Sequence, residues 1–209
     1  MKIHFILSLL VLSSFAQELT PLDSLFLQDS LQFGQKFALK PIQAWQRFSY
    51  SQNSLNCQFE KSCSNYMVDA ILQRGVLRGA IIGTDRIVRC NPAARHYHLQ
   101  RPSAFIQYDG RLVESVAWTP EAQPGKNALI ATSLSIVPGL GRSFAGQPID
   151  GLYSFLLVAG FAFNTYTHVQ SENLIRAWIN GSFMTLFWFA DIYGAYRTAK
   201  RAPPPTHHP

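Results

Sequence analysis

The chain has 209 residues, of which 47% are hydrophobic and only 14% charged, with a net charge of +6 and a pI near 9.4. Charged residues usually supply about a quarter of a soluble chain, so this one leans apolar. A basic balance suits an anionic surface, nucleic acid or lipid headgroups; the chain has no RNA-binding aromatic motif and no long basic run, and its apolar excess sits at the two ends, so membrane lipids are the expected partner and nucleic acid is not.

Residues 1–16 open with Met1-Lys2, continue with an apolar run from Ile3 to Leu12, and close on Ser13-Ser14-Phe15-Ala16. A basic start, a short apolar core and small residues at Ser14 and Ala16 predict a signal peptide. The run is too short for the roughly 20 residues of a span. Residues 17–40 carry Leu22, Leu25, Phe26 and Leu31 at near-helical spacing, with Asp23, Gln28 and Asp29 between them, which predicts a weak amphipathic helix.

Residues 41–98 form the next expected domain. A first helix is predicted near Ile42 to Ser49, carrying Trp45 and Phe48. A second starts at Ser62, or with Ser64 as its cap, and ends at Gly75; a third runs from about Val76 to Arg89 and is stopped by Pro92. Tyr66, Met67, Ala70 and Ile71 form one apolar stripe, and Leu77, Ile81, Ile82 and Val88 another. Such a small helical unit buries little core and usually needs a staple, a metal or a neighbour.

Residues 99–127 are expected to hold a short β-hairpin and a linker. Phe105 to Tyr108 and Arg111 to Val113 flank Asp109-Gly110, a pair that supplies the positive φ angles of a tight turn. Residues 128–201 read as membrane helices. Gly151 to Thr165 and Trp178 to Ala190 are uncharged and approach the length of a span, with Trp178, Trp188, Tyr193 and Tyr196 near their ends. Ala128 to Phe144 is a further apolar run, broken by Pro138-Gly139-Leu140-Gly141. Asp191 near the end of a span is notable, because ionised groups there usually face protein or water. Residues 202–209, rich in proline and histidine, are expected to be disordered. The fold class is therefore mainly α: a small three-helix, cysteine-marked domain, a short β-hairpin, and a C-terminal transmembrane helical hairpin.

The most specific pattern lies at Cys57-Gln58-Phe59-Glu60-Lys61-Ser62-Cys63-Ser64-Asn65-Tyr66, then Ala70-Ile71, Gly75, Leu77-Arg78-Gly79, and Arg86-Ile87-Val88-Arg89-Cys90-Asn91-Pro92. Its order and spacing resemble the YidD family, the membrane protein insertion efficiency factors, with their CxFxPxCSxY start, glycine pair around a basic residue, and R-I-x-R-C-x-P close. Trp45-Gln46-Arg47-Phe48 resembles the family's first helix. Lys61 stands where the family usually has proline, and Ala93 to His98 replace its glycine-rich tail. The resemblance implies a non-enzymatic, membrane-associated factor that acts beside a YidC-type insertase or its clients at the bacterial inner membrane, with no cofactor, no metal and no small-molecule substrate. It marks Cys57, Phe59, Cys63, Ser64, Tyr66, Gly75, Arg78, Gly79, Arg86, Arg89, Cys90 and Pro92 as motif residues. Pro138, Gly139, Gly141 and Gly146 lie in a stretch that resembles the start of small two-helix membrane modules of the TM2-like kind; its glycines suit close helix approach.

Arg74, Arg78, Arg86 and Arg89 make a basic set on two helices. Arg78 and Arg89, about three turns apart, share a face suited to lipid phosphates or an acidic partner; an ordinary solvated face with an Asp85–Arg89 ion pair is the simpler reading. The three cysteines leave several readings open: buried thiols, a Cys57–Cys63 or Cys63–Cys90 disulfide, or a zinc site with His96 or His98, which C-x5-C spacing fits poorly. No histidine lies within the matched segment, so nothing there suggests cysteine nucleophilic catalysis. An export signal places the domain outside the cytoplasm and makes an envelope adaptor the second functional reading. If the N-terminal segment is not an export signal, two spans keep the domain inside, and three spans reconcile an exported domain with the basic flank Arg197, Lys200 and Arg201.

Overall fold

The computed structural model describes residues 20–27, 31–50, 57–92, 110–116 and 126–200. The expected signal peptide, the Phe105 to Tyr108 arm and the proline-rich tail lie outside them. The chain divides into two compact units, residues 1–56 and 57–209.

In the first unit α1 (Pro21–Leu27) precedes α2 (Phe33–Tyr50). Thr20 and Asp23 cap α1 reciprocally: the Thr20 N–H donates to the Asp23 carboxylate at 2.8 Å, and the Asp23 N–H returns a bond to the Thr20 hydroxyl at 3.3 Å. Asp23 also accepts from Gln43 at 2.6 Å and from Arg47 at 2.8 Å, which ties α1 to α2. The Arg47 guanidinium holds the Asp23 carboxyl below the usual carboxylate range. The α2 helix runs unbroken through Pro41.

The second unit begins with α3 (Cys63–Arg74) and α4 (Val76–Arg89), close to the limits expected from the sequence. Ser62 is the cap of α3, its hydroxyl accepting from the Asn65 N–H at 3.3 Å. Gly75, at φ 79°, separates the two helices. A Cβ at Gly79 would run into the backbone of Ile71, so the pair crosses at a distance only glycine allows. Then come α5 (Ala128–Leu134), α6 (Leu140–Phe144), α7 (Pro148–Gln170) and α8 (Leu174–Ala199). Asn127 caps α5 through the Leu129 N–H at 2.8 Å, and Asn173 caps α8 through the Arg176 N–H at 3.3 Å. Val88 of α4 packs with Val158 of α7 and Phe187 of α8, and Phe161 stacks on Phe183 and Phe187 with centroids 5.5 Å apart. Ala131, Ala145, Ala195 and Ala199 bring α5, α6 and α8 together around a small-residue core.

The mainly helical class holds, but two expectations fail. Among the described residues there is no strand. Leu112 instead forms an isolated parallel bridge with Phe59, its N–H donating to the Gln58 carbonyl and its own carbonyl accepting from Glu60, both at 2.9 Å. The Arg111 to Val113 segment thus pairs with the cysteine loop, and the other expected arm of the hairpin lies outside the described residues. Nor is any helix among the described residues long and apolar enough to cross a membrane. The α7–α8 pair is a helical hairpin without being a transmembrane one. Polar residues interrupt both helices, Asp150, Ser154, Asn164 and His168 in α7 and Asn180, Ser182, Thr185 and Asp191 in α8. The run from Ala128 to Phe144 is cut into two short helices by the Ser135–Gly139 turn.

Candidate functional site

Helix α4 buries the side expected to be solvated. Thr84, Asp85, Arg86 and Arg89 are buried, whereas Leu77 is 73% exposed and Ile87 39% exposed. Unpaired charges in such a place cost several kcal/mol, so counter-charges must lie close by. Arg89 donates to Asp85 at 3.0 Å and forms a two-pronged pair with Glu114 at 3.0 and 2.7 Å. Arg86 stands 3.4 Å from Glu114, donates to the Lys61 carbonyl at 3.0 Å, and lies over the rings of Phe59 and Tyr66 at 3.8 and 4.4 Å. Arg142 of α6 donates to Asp85 at 2.6 Å, to Asp191 of α8 at 2.9 Å and to the Ala190 carbonyl at 2.8 Å. Arg197 approaches Asp85 at 3.4 Å.

Burial opposes ionisation of Asp85, but Arg89, Arg197 and Arg142 more than offset it and hold its carboxyl below the usual range. Glu114 is lowered in the same way, burial being outweighed chiefly by Arg89. Asp150 goes the other way: burial pushes it up, and Arg142 and a 2.6 Å bond from the Asn91 amide offset only part of the effect. Burial, followed by the charge of Glu114, pushes the Tyr66 phenol up to about 12. Glycines make the space. A Cβ at Gly194 would collide with the Arg142 guanidinium, and one at Gly139 with the Gly151 carbonyl. Gly139, left-handed at φ 86°, also donates its N–H to Asp191 at 2.9 Å.

The motif residues form two clusters, with the remainder at separate positions. Arg86, Arg89 and Tyr66 belong to the buried network, the tyrosine hydroxyl lying 3.4 Å from Glu114. Cys57, Cys63 and Cys90 come together beside the buried pair Phe59 and Leu112, half-buried and unbridged, with their sulfurs all within 4.8 Å. Cys63 opens α3 and Cys90 caps the end of α4. Hydrogen bonds with Cys63 and Cys90 hold the Cys57 thiol well below its ordinary range, and those with Cys57 and Cys90 push the Cys63 thiol up. Ser64 contacts the Ser62 hydroxyl at 3.1 Å, and Pro92 is exposed just beyond α4. Arg78 is exposed at the far end of α4 with Arg74 nearby in sequence, so the expected Arg78–Arg86–Arg89 basic face does not exist: two of its members point into a network of carboxylates. Pro138, Gly139 and Gly141 shape the α5–α6 turn, and Gly146, at φ 97°, leads into α7.

A family model described as "Putative membrane protein insertion efficiency factor", YidD, matches residues 34–98. A protein of that description from Fervidobacterium nodosum is 34% identical over 73 residues, covering 35% of this chain and 86% of the relative. The chain belongs to the YidD family. A second relative of the same description, from Oleidesulfovibrio alaskensis, is 39% identical over 57 residues, 27% of this chain and 66% of its own; one from Thermotoga neapolitana is 33% identical over 64 residues, 31% and 81% respectively. No solved structure matches. The YidD match ends before Glu114, Arg142, Asp191 and Arg197. The counter-charges of the motif arginine Arg89 and its neighbour Asp85 therefore come partly from chain that the family pattern does not include. Sequence reading missed Glu114, Arg142 and Arg197 as members of this network. The available signal was opposite isolated charges, Arg142 and Asp191, each set in an otherwise uncharged apolar run.

A surface groove of about 720 Å³ lies towards the tip of the α7–α8 hairpin. Leu77 and Ile81 of α4, Val169 of α7, and Leu174, Trp178 and Phe189 of α8 line it. Trp178 is 77% exposed. Arg78 and Arg176, each close in sequence to a lining residue, are exposed.

Proposed function

We propose that this chain is a non-enzymatic, membrane-associated factor that assists insertion or maturation of membrane proteins, in keeping with its family. The carrying observation is the apolar groove with its exposed Leu77 and Trp178 and neighbouring Arg78 and Arg176. Exposed apolar surface of this extent marks an interaction site. Apolar side chains beside cations suit the boundary between headgroups and acyl chains, where aromatic rings and arginines both find their preferred surroundings. In this reading the groove end rests on the membrane surface without crossing it, and presents the unit to an insertase of the YidC type or to its clients. The buried arginines serve as the internal frame.

The test is depletion of the protein in its own cells, with insertion of insertase-dependent membrane proteins followed by pulse-labelling. Slower insertion, restored by the wild-type gene but not by one with Leu77→Asp and Trp178→Asp, is expected. Undiminished insertion in depleted cells overturns the reading.

A further inference from the structure

Three cysteines from separated parts of the sequence converge on one point. Cys57 precedes the Phe59–Leu112 bridge, Cys63 is the first residue of α3, and Cys90 caps α4. The Cys57 and Cys90 sulfurs are 3.9 Å apart, and all three lie within 4.8 Å of one another. An S–S bond is about 2.05 Å long, so the closest pair stands well apart. Thiolates bound about 2.3 Å from a tetrahedral zinc stand about 3.8 Å from each other, close to the spacing seen here.

We propose that Cys57, Cys63 and Cys90 bind a zinc ion as three thiolates, with solvent or an incoming donor in the fourth position. With all three sulfurs bound as thiolates the site carries one net negative charge. A compensating cation is already present. Arg86, fully buried, places Nη1 3.9 Å from the Cys63 sulfur. Cys57 and Cys90 pack against the buried pair Phe59 and Leu112, and all three thiols are half-buried. The gain is structural. One ion clips the loop before α3, the start of α3 and the end of α4 together, in a helical pair whose own apolar core is small. C-x5-C alone carries no such signal; the site exists because the α3–α4 hairpin returns Cys90 to the start of α3.

The experiment uses the full-length chain, reduced, exposed to Zn²⁺ and freed of excess metal by gel filtration. One retained zinc per chain is expected, together with protection of all three thiols from alkylation counted by mass and release of that protection by a chelator. Replacement with Co²⁺ should give a strong thiolate-to-cobalt charge-transfer absorption, abolished in Cys90→Ser. Because the alkylation count is made on the unmutated protein, a misfolded variant does not decide the outcome. No retained zinc with equal alkylation in its presence and absence overturns the proposal. So does binding of copper(I) but not zinc, or a mass lower by two hydrogens that maps to a Cys57–Cys90 disulfide.

Discussion

Arg142 reaches across 57 residues of sequence to donate to Asp85 at 2.6 Å, with both side chains fully buried. The bond joins α6 to α4, and the same guanidinium goes on to Asp191 of α8. Breaking a buried pair from one side leaves an uncompensated charge, which costs about 3 to 5 kcal/mol. Arg142→Met should therefore lower the unfolding free energy of the second unit by that amount, read as a fall in its denaturant midpoint. Asp85→Asn should do likewise, since Asp85 also faces Arg89 and Arg197. In a double-mutant cycle the double variant should lose much less than the sum of the two single losses.

Gly194→Ala tests the slot that Arg142 occupies. A methyl group there overlaps the guanidinium, so the side chain must leave its carboxylates or α8 must shift. Alanine is otherwise the better helix former by about 1 kcal/mol. The substitution should nevertheless destabilise by about 2 kcal/mol or more, read by urea unfolding; a neutral or stabilising result would show that the slot is not tightly filled.

Stability should depend on pH in two opposite senses. Asp85 and Glu114 have lowered folded-state values, so the folded protein binds fewer protons. Their contribution is complete above the unfolded carboxyl values of about 4 and is lost as pH falls further. Asp150 is raised, so its contribution is present below about pH 4 and is lost as pH rises through its folded value. Urea midpoints measured across the acid and neutral range should fall steeply on the acid side for the wild type. Asp150→Asn should retain that acid limb and flatten the decline above it.

The groove can be examined without touching the frame. Leu77 and Trp178 are largely exposed, so Leu77→Asp with Trp178→Asp should change thermal stability little. Flotation with vesicles containing anionic phospholipid should fall at least tenfold, and high salt should weaken the wild type as cation–headgroup attraction is screened. Wild-type binding no stronger than the variant's would remove the groove from the functional reading.

The sequence made the α3–α4 hairpin legible almost to the residue, because its boundaries are local: Ser62 caps, Gly75 turns and Pro92 follows the last turn. It misled on the helix faces. Periodicity treats Leu77 as core and Arg86 and Arg89 as surface, whereas Glu114 and Arg142 arrive from distant segments and reverse the assignment. The expectation of spanning helices failed for a related reason. The long uncharged stretches read as spans, but α7 and α8 carry amides and hydroxyls along their length, and Asp191 is taken up by Arg142 of the same chain. Convergence of the cysteines was likewise hidden, since it depends on the crossing set by Gly79 against Ile71.

Asp191 and Arg197 both lie on α8, the last described helix, and this bears on the order in which the protein can be completed during synthesis. A chain emerging from the ribosome presents Asp85 and Arg89 early and the residues that close the network last. Until α8 is free, α3 and α4 can form locally, but Arg142 has no Asp191 to bind. The native unit is thus a late product of translation, and a ribosome stalled before α8 should carry a nascent chain whose α4 is still open to proteolysis.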